Sequence, residues 1–395
     1  MGPSTSGAAS IAGIGATDFS KNSGRSELRL AVEAVRAALD DAGLEPNDVD
    51  GLVTFSMDTN AEIEVARALG VPELTFFSRV HYGGGAACAT VQQAVLAVAT
   101  GTAQVVVCYR AFNERSGRRF GLGGSPPAPG DASTDAVMRS WYSPFGLVTP
   151  AAQVAMFARR YMHTFGATSA DFGLVAVADR KHAATNPRAW FYERPITLED
   201  HQTSRPIVDP LRLLDCCQES DGAVALVVTT TERARDLRRA PAVITAAAQG
   251  SARGQESMTS YYRSADEMSQ LPEMNLVARQ LWRESGLKPG DIRTAVLYDH
   301  FTPFVLVQLE ELGFCGRGEA KDFIACGNIE LQGGLPLNTH GGQLGEAYIH
   351  GMNGIAEGVR QIRGDSVNQL DDVHNVLITA GTGVPTSGLI LSTDR

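Results

Sequence analysis

Two short stretches of this 395-residue chain concentrate the residue types that move protons. Tyr298, Asp299 and His300 follow one another in the run YDHF. His340, Glu346, Tyr348 and His350 lie in the Gly-rich run NTHGGQLGEAYIHGMNG, Asn338–Gly354. A phenol can donate, accept and transfer protons, and an imidazole changes charge near neutral pH. Other chemistries find fewer residues. The four lysines, Lys21, Lys181, Lys288 and Lys321, all sit in polar, turn-like contexts that do not suit a buried imine-forming amine. No HExxH, CxxC or clustered Asp/His spacing announces a catalytic metal. Six cysteines are scattered, with one adjacent pair, Cys216-Cys217; they form neither a disulfide framework nor a zinc knuckle and fit a reducing compartment. Cys88 has nothing cationic beside it to lower its pKa and reads as a core residue.

The elements that position these residues repeat. The length amounts to roughly two to three domains of about 150 residues, and 44% hydrophobic with 20% charged residues excludes disorder or coiled coil as the main theme. Ala37–Val53 (AALDDAGLEPNDVDGLV) returns as Arg279–Val296 (RQLWRESGLKPGDIRTAV), with Gly43 on Gly286, Pro46 on Pro289 and Asp48 on Asp291. Each copy reads as an amphipathic helix ended by Gly, a turn, then an apolar strand. A small-residue helix over Gly83–Gly101 precedes the strand VVVC, Val105–Cys108, and a similar helix over His350–Gly364 precedes NVLIT, Asn375–Thr379. The chain is therefore expected to be α/β, in two halves at residues 10–238 and 239–395, with an irregular insertion over 111–150. Continuous apolar strands such as AVALVV, Ala223–Val228, imply sheets covered on both faces and an αβαβα layering.

Charge and hydropathy narrow the partners. A net charge of −10 argues against nucleic-acid binding. No run approaches the ~18 apolar residues of a membrane span, and the opening MGPSTSGAAS lacks a signal pattern. A cytoplasmic protein without membrane partners is expected.

Three segments make a resemblance specific. Val296–Cys315 (VLYDHFTPFVLVQLEELGFC) resembles the HDCF block of sterol-carrier-type thiolases. Asn338–Gly354 is similar to the block carrying their GHP histidine, and His81–Val107 resembles the helix that begins with their nucleophilic cysteine. The implied fold is the thiolase fold, two βαβαβαββ halves in five αβαβα layers. Its reactive positions are altered: the nucleophile's slot falls on Gly84, the two histidine slots on Tyr298 and Tyr348, and the second cysteine's slot on Ala380. Claisen chemistry, which needs a thiolate and a base, is not expected. The opening SIAGIGATDFSKNSGRSELRLAVEAV, Ser10–Val35, resembles that of the steroid side-chain-cleaving aldolases of this superfamily. The resemblance implies retro-aldol cleavage of a β-hydroxyacyl-CoA steroid side chain to a 17-keto steroid and propionyl-CoA. It also implies a homodimeric core, an OB-fold/zinc-ribbon partner domain of a hydratase, and an α2β2 assembly. No cofactor is implied beyond the coenzyme A that the substrate carries; any zinc belongs to the partner.

On that basis Tyr348 is expected to take the hydroxyl proton, and Tyr298 to donate to the thioester oxygen or re-protonate the enolate carbon. An unperturbed phenol titrates near ~10, so His300 and His340 are candidates to assist, with hydrogen-bonded structural roles as the rival reading. Asp299 is expected to cap the helix starting near Thr302. Glu346 either orients a tyrosine or forms an ion pair. His350 is assigned to the substrate site, with packing as its alternative. Gly84, Gly85, Gly341 and Gly342 either let backbone approach the thioester or let the central helices touch. The basic run Arg110–Arg119, with Arg139, contacts the CoA phosphates, braces a dimer partner or stays solvated. A non-catalytic acyl-CoA or sterol carrier, an acyltransferase using Cys88 and a pure scaffold stand as alternative functions.

Overall fold

The computed structural model describes residues 5–123, 133–255, 258, 267–382 and 385–394. The first half runs β1 (Ala9–Ala16), α1 (Glu27–Ala42), β2 (Gly51–Phe55), α2 (Glu62–Leu69), β3 (Phe76–Val80), α3 (Ala87–Ala99) and β4 (Val105–Asn113). Next come α4 (Thr134–Tyr142), α5 (Pro150–Phe165), α6 (Ser169–Ala184) and α7 (Leu198–Thr203). The hairpin β5 (Pro206–Val208) and β6 (Leu211–Arg212), then β7 (Asp221–Thr230) and α8 (Thr231–Arg235), end the half. The second half runs β8 (Ala242–Gly250), α9 (Pro272–Ser285), β9 (Thr294–Val296), α10 (Thr302–Glu311), α11 (Ala320–Ala325), α12 (Gly342–Gly345), α13 (Met352–Arg363), β10 (Asn375–Ala380) and β11 (Thr386–Thr393).

The repeat appears in backbone detail. Helices α1 and α9 end on Gly43 and Gly286 in the left-handed conformation, where a side chain would be strained. Each is followed by a short 3-10 turn, Pro46–Asp48 or Pro289–Asp291, and then by a parallel strand. Asp48 and Asp291 accept from the backbone N–H of Glu45 and Lys288, three residues before them.

The continuous apolar strands are explained by two cores. In β4, Val106, Cys108 and Phe112 join the central core, while Val105, Val107, Tyr109 and Ala111 face α1 and α2. In β7, Val224, Leu226 and Val228 point inward and Ala223, Ala225 and Val227 outward. Strands β10 and β11 divide likewise, with Leu377 and Ile390 packing outward. Helices α3 and α13 fill the central core between the half-sheets. The layers are thus α1/α2, sheet, α3/α13, sheet, and α9/α10.

Three expectations change. The half-sheets are hydrogen-bonded into one nine-stranded sheet of order β3-β2-β4-β7-β1-β8-β11-β10-β9, because β1 and β8 pair at Ser10–Val243 and Ile11–Ala242. The second half lacks a third strand: between α11 and α12 only an isolated bridge, Ala295 with Leu337, takes its place. The preceding run there, Gly333-Gly334-Leu335-Pro336, disfavours a ladder. The insertion after β4 is partly helical, in α4 and in 3-10 turns at Phe120–Leu122 and Ser143–Phe145, while residues 124–132 lie outside the described residues. Among the described residues, no helix is long and apolar enough to cross a membrane.

Candidate active site

Tyr298 follows β9 at the inner end of the central layer, and its backbone is clamped. Its N–H donates to Thr379 Oγ1 at 3.0 Å and its carbonyl accepts from Gln308 Nε2 at 2.9 Å. Thr379 Oγ1 closes the ring by donating to Gln308 Oε1 at 2.6 Å. Gln308 is fully buried in the apolar helix α10, so a lost partner there leaves an unsatisfied polar group, costing about 1–3 kcal/mol. Tyr348 comes from the turn between α12 and α13, where its N–H donates to Ser220 Oγ at 3.1 Å. The two phenol oxygens stand 3.2 Å apart, with ring planes at 63°. Either hydroxyl can donate to the other.

Gly84 makes room for this arrangement. A Cβ there would lie 1.6 Å from the Tyr298 hydroxyl oxygen and 2.3 Å from the ring carbon bearing it. The phenol therefore occupies the space that a side chain at position 84 would need. Burial, above all, pushes both phenols well above their ordinary pKa, and the nearby Cys217 and Glu114 push the same way. Neither is a phenolate at neutral pH.

His300 lies beside Tyr298, with ring centroids 4.7 Å apart, but it stacks on Phe304 at 5.1 Å and 7° rather than bonding to the phenol. Its Nε2 is 3.4 Å from Thr382 Oγ1, and burial pushes its pKa down to about 3. It is a neutral wall of the site. His340 is placed elsewhere: its Nε2 is 3.8 Å from Glu346 Oε2, and no hydrogen bond or ring contact joins it to either tyrosine. Glu346 accepts from Asn186 at 3.1 Å and Asn353 at 2.9 Å, which ties the α12–α13 turn to the segment just after α6 and to the first turn of α13. The expected cap by Asp299 is corrected. Its carboxylate accepts from the N–H groups of Gln343 and Leu344 at 2.9 and 3.0 Å, so it caps α12, while Thr302 at the start of α10 donates to Asp215. Chain proximity suggested one helix and tertiary proximity supplied another.

The glycines separate in the same way. A Cβ at Gly341 would strike Ala183 of α6 at 2.5 Å, and one at Gly342 would strike the Asp299 carboxylate at 2.2 Å. Gly85 abuts the Pro385 carbonyl, where a Cβ would come within 1.8 Å. These three serve close packing, and Gly84 alone of the four meets a tyrosine.

The opposite wall is charged. Asp58, after β2, and Arg110, in β4, form a 3.0 Å ion pair whose side chains are 0% and 1% exposed. Arg110 Nε–H donates to His350 Nδ1 at 3.1 Å, and Ala111 N–H adds a second donor to Asp58 Oδ2. Arg110 thus does not belong to a solvent-facing basic run: strand alternation turns it inward with Cys108 and Phe112. Arg119, farther along, pairs with Glu219 at 2.6 Å. His350 packs against Phe112 and Phe120, at 5.0 and 5.6 Å, with its ring plane at 89° to the Tyr348 ring. Its backbone is left-handed, at φ +51°, a strain of order 1–3 kcal/mol for a residue with a side chain. A cavity of about 380 Å³ opens along this wall, lined by Met57, Asp58, Arg110, Phe112, Glu114 and Phe120. Glu114 is buried with Oε2 unpartnered, and burial, followed by the Glu219 charge, holds its carboxyl well above the usual range.

The residues that sequence reasoning missed, Asp58, Glu114, Gln308 and Thr379, share one signal: a polar residue inside or just beyond an apolar run. Cys88 is fully buried in α3 with Sγ 3.8 Å from the Ile378 carbonyl, and burial pushes its thiol far above the ordinary range. Lys21 has an ammonium occupied by Gln218 at 2.8 Å and the Glu219 carbonyl at 2.5 Å, and burial lowers its pKa to about 8. Among the described residues no group of three or more His, Cys, Asp or Glu is arranged to hold a metal ion.

Known proteins share this architecture. Residues 10–232 match the family described as "Thiolase, N-terminal domain", and residues 254–393 match "Thiolase C-terminal domain-like". The chain is 72% identical to the "Steroid side-chain-cleaving aldolase" of Thermomonospora curvata, covering 98% of this chain and 99% of that protein. It is also 72% identical to the "17-hydroxy-3-oxo-4-pregnene-20-carboxyl-CoA lyase" of Mycobacterium tuberculosis, again covering 98% and 99%. The solved structure of an "Ltp2-ChsH2(DUF35) aldolase" superposes with a TM-score of 0.95 at 71% identity, covering all of both chains.

Proposed function

Because the chain belongs to the thiolase family, we propose that it is a carbon–carbon lyase acting on a steroid side chain held as a β-hydroxyacyl-CoA thioester. Retro-aldol cleavage of a 17-hydroxy steroid 20-carboxyl-CoA gives a 17-keto steroid and propionyl-CoA. The observation that carries this reading is the phenol pair, 3.2 Å apart, with Tyr298 filling the space beside Gly84.

The thioester is the electron sink, so the reaction requires no imine, metal or redox cofactor. As the bond between the α- and β-carbons breaks, its electron pair enters the thioester to form the enolate, and the β-hydroxyl becomes the ketone. Two phenols pushed above their ordinary pKa make poor free bases but a good relay. Tyr348 accepts the hydroxyl proton while passing its own to Tyr298, and Tyr298 delivers a proton to the enolate carbon. One proton leaves oxygen, one reaches carbon, and neither phenol ends charged. His300 contributes a neutral ring against Tyr298. His340 and Glu346 hold the turn that carries Tyr348, and Gly85, Gly341 and Gly342 set the packing of that turn and of α3.

We place the chain in the cytoplasm, on six cysteines of which none is in a disulfide. Its partners in this reading are a second copy of itself and an OB-fold/zinc-ribbon domain, in an α2β2 assembly. The Ltp2-ChsH2(DUF35) structure, at 71% identity, supports a partner of that kind.

The test is to incubate the assembled protein with a 17-hydroxy steroid 20-carboxyl-CoA and follow both products. Equimolar propionyl-CoA and 17-keto steroid are expected. Tight binding with no product would make the chain a carrier and end the lyase reading.

A further inference from the structure

His350 has one nitrogen committed and one free. Arginine has five N–H donors and no acceptor, so the 3.1 Å contact from Arg110 Nε–H obliges His350 Nδ1 to accept. A neutral imidazole accepting at Nδ1 carries its proton at Nε2, so the tautomer is dictated by Arg110, which Asp58 in turn anchors at 3.0 Å. Among the described residues no hydrogen bond is made by Nε2. That nitrogen points at the Gly83–Gly84 turn: it would lie 3.4 Å from a Cβ on Gly83, while the Tyr298 hydroxyl stands over Gly84. Two proton-bearing atoms from different walls therefore flank consecutive glycines, with Met57 Sδ the other neighbour of Gly83, 3.1 Å from where its Cβ would stand. The ring is packed against Phe112 and Phe120 at 5.0 and 5.6 Å, with the Tyr348 ring perpendicular to it at 5.1 Å.

We propose that His350 Nε2–H is a fixed, uncharged hydrogen-bond donor to the thioester oxygen of the CoA ester, and that Arg110 is the positioning residue that fixes its tautomer. This rests on the lyase reading and sharpens it. With the developing enolate oxygen held by His350, Tyr298 is released from choosing between oxygen and carbon and serves as the carbon's proton donor. An uncharged donor suits the task, since it stabilises the enolate oxygen without handing over a full proton, and the enolate then takes its proton at carbon. The charged and titratable groups set against His350 are Arg110 from β4, with Asp58 bound behind it, and His300 and Tyr348 from the second half. Burial, then the Arg110 charge, holds the imidazole well below its ordinary pKa, so this donor stays neutral through the physiological range.

Nitrogen-15 NMR of histidine-labelled protein, with the His350 signals assigned by their loss in His350→Gln, reads the tautomer without any turnover. The expected result is a protonated Nε2 and an unprotonated Nδ1, unchanged between about pH 6 and 8. A proton on Nδ1, or an imidazolium in that range, overturns the proposal whatever reaction the protein performs. Turnover supplies the second reading. His350→Phe keeps the aromatic stack and removes the donor, and should lower kcat about 10²–10³-fold with KM changed far less. His350→Gln, which restores an N–H, should recover at least part of that loss. A His350→Phe protein with turnover close to the parent's overturns the donor role. Arg110→Lys, which keeps a charge for Asp58, should yield a mixture of tautomers by NMR; a single unchanged Nε2–H form removes Arg110 from the proposal. Absence of product from the parent protein would instead strike the lyase reading, and the tautomer would still be decided by NMR.

Discussion

On the β2–β4 side of the Gly83–Gly84 turn stands a buried ion pair, Asp58 with Arg110; on the β9–β10 side the backbone of Tyr298 is held by uncharged partners, Thr379 and Gln308. The difference follows from what each wall must hold. A histidine can be fixed in one tautomer only by a partner of unambiguous hydrogen-bond sense, and arginine, which never accepts, is such a partner. The proposed phenol relay needs both oxygens neutral, and the supports of Tyr298, an amide and a hydroxyl, orient its backbone without placing a cation beside it. A cation beside Tyr298 would favour the phenolate and leave one proton too few for the return step.

Experiments that break one wall at a time should rank accordingly. The largest effect is expected from the neutral wall: Tyr348→Phe or Tyr298→Phe should lower turnover about 10²–10⁴-fold while the protein stays folded, as measured by product release and circular dichroism. Near-normal turnover in Tyr348→Phe would remove it from the mechanism. Gly84→Ala should approach the same loss, because its Cβ and the Tyr298 oxygen cannot both keep their places, 1.6 Å apart. Overpacking should also cost about 1–3 kcal/mol in denaturant unfolding. Gln308→Leu comes third: it leaves the Thr379 hydroxyl and the Tyr298 carbonyl without their partner, costing about 1–3 kcal/mol of stability with a smaller loss of turnover. The pH profile sharpens the contrast. Burial raises both phenols, so they stay protonated as pH rises from neutral and are lost only beyond their ordinary value of about 10. Parent and Tyr348→Phe should therefore give parallel profiles between about pH 6 and 9, and a limb present in the parent but absent in the variant would contradict the relay. Cys88→Ala should have the smallest effect, since that buried, unionised thiol faces the Ile378 carbonyl and neither wall. Thiol-dependent turnover would restore the acyltransferase reading.

Much of the scaffold could be read from residues alone. Gly43 and Gly286 end their helices as their type and position demand, and the all-apolar run of β7 required two covered faces, which α1 and the central helices provide. The missing strand of the second half was less legible, because the expectation came from symmetry while Gly333, Gly334 and Pro336 act locally. Within the site, Tyr298 and Tyr348 stand out by type, whereas the sequence offered His340 as an assistant to the tyrosines and His350 as a substrate-site or packing residue, and the structure sets His340 apart from both tyrosines and His350 against Tyr348. One bears on Glu346, the other on Arg110.

Sequence by itself determined what depends on short range: where helices stop, which strands are buried on both faces, and that a helix–turn–strand unit recurs in the chain. Only the tertiary structure decided which polar groups meet, because Arg110 and His350 are 240 positions apart and Asp299 caps a helix 44 positions away. Local propensity acts over a few residues, while the desolvation that compels a buried charge or amide to find a partner is blind to distance along the chain.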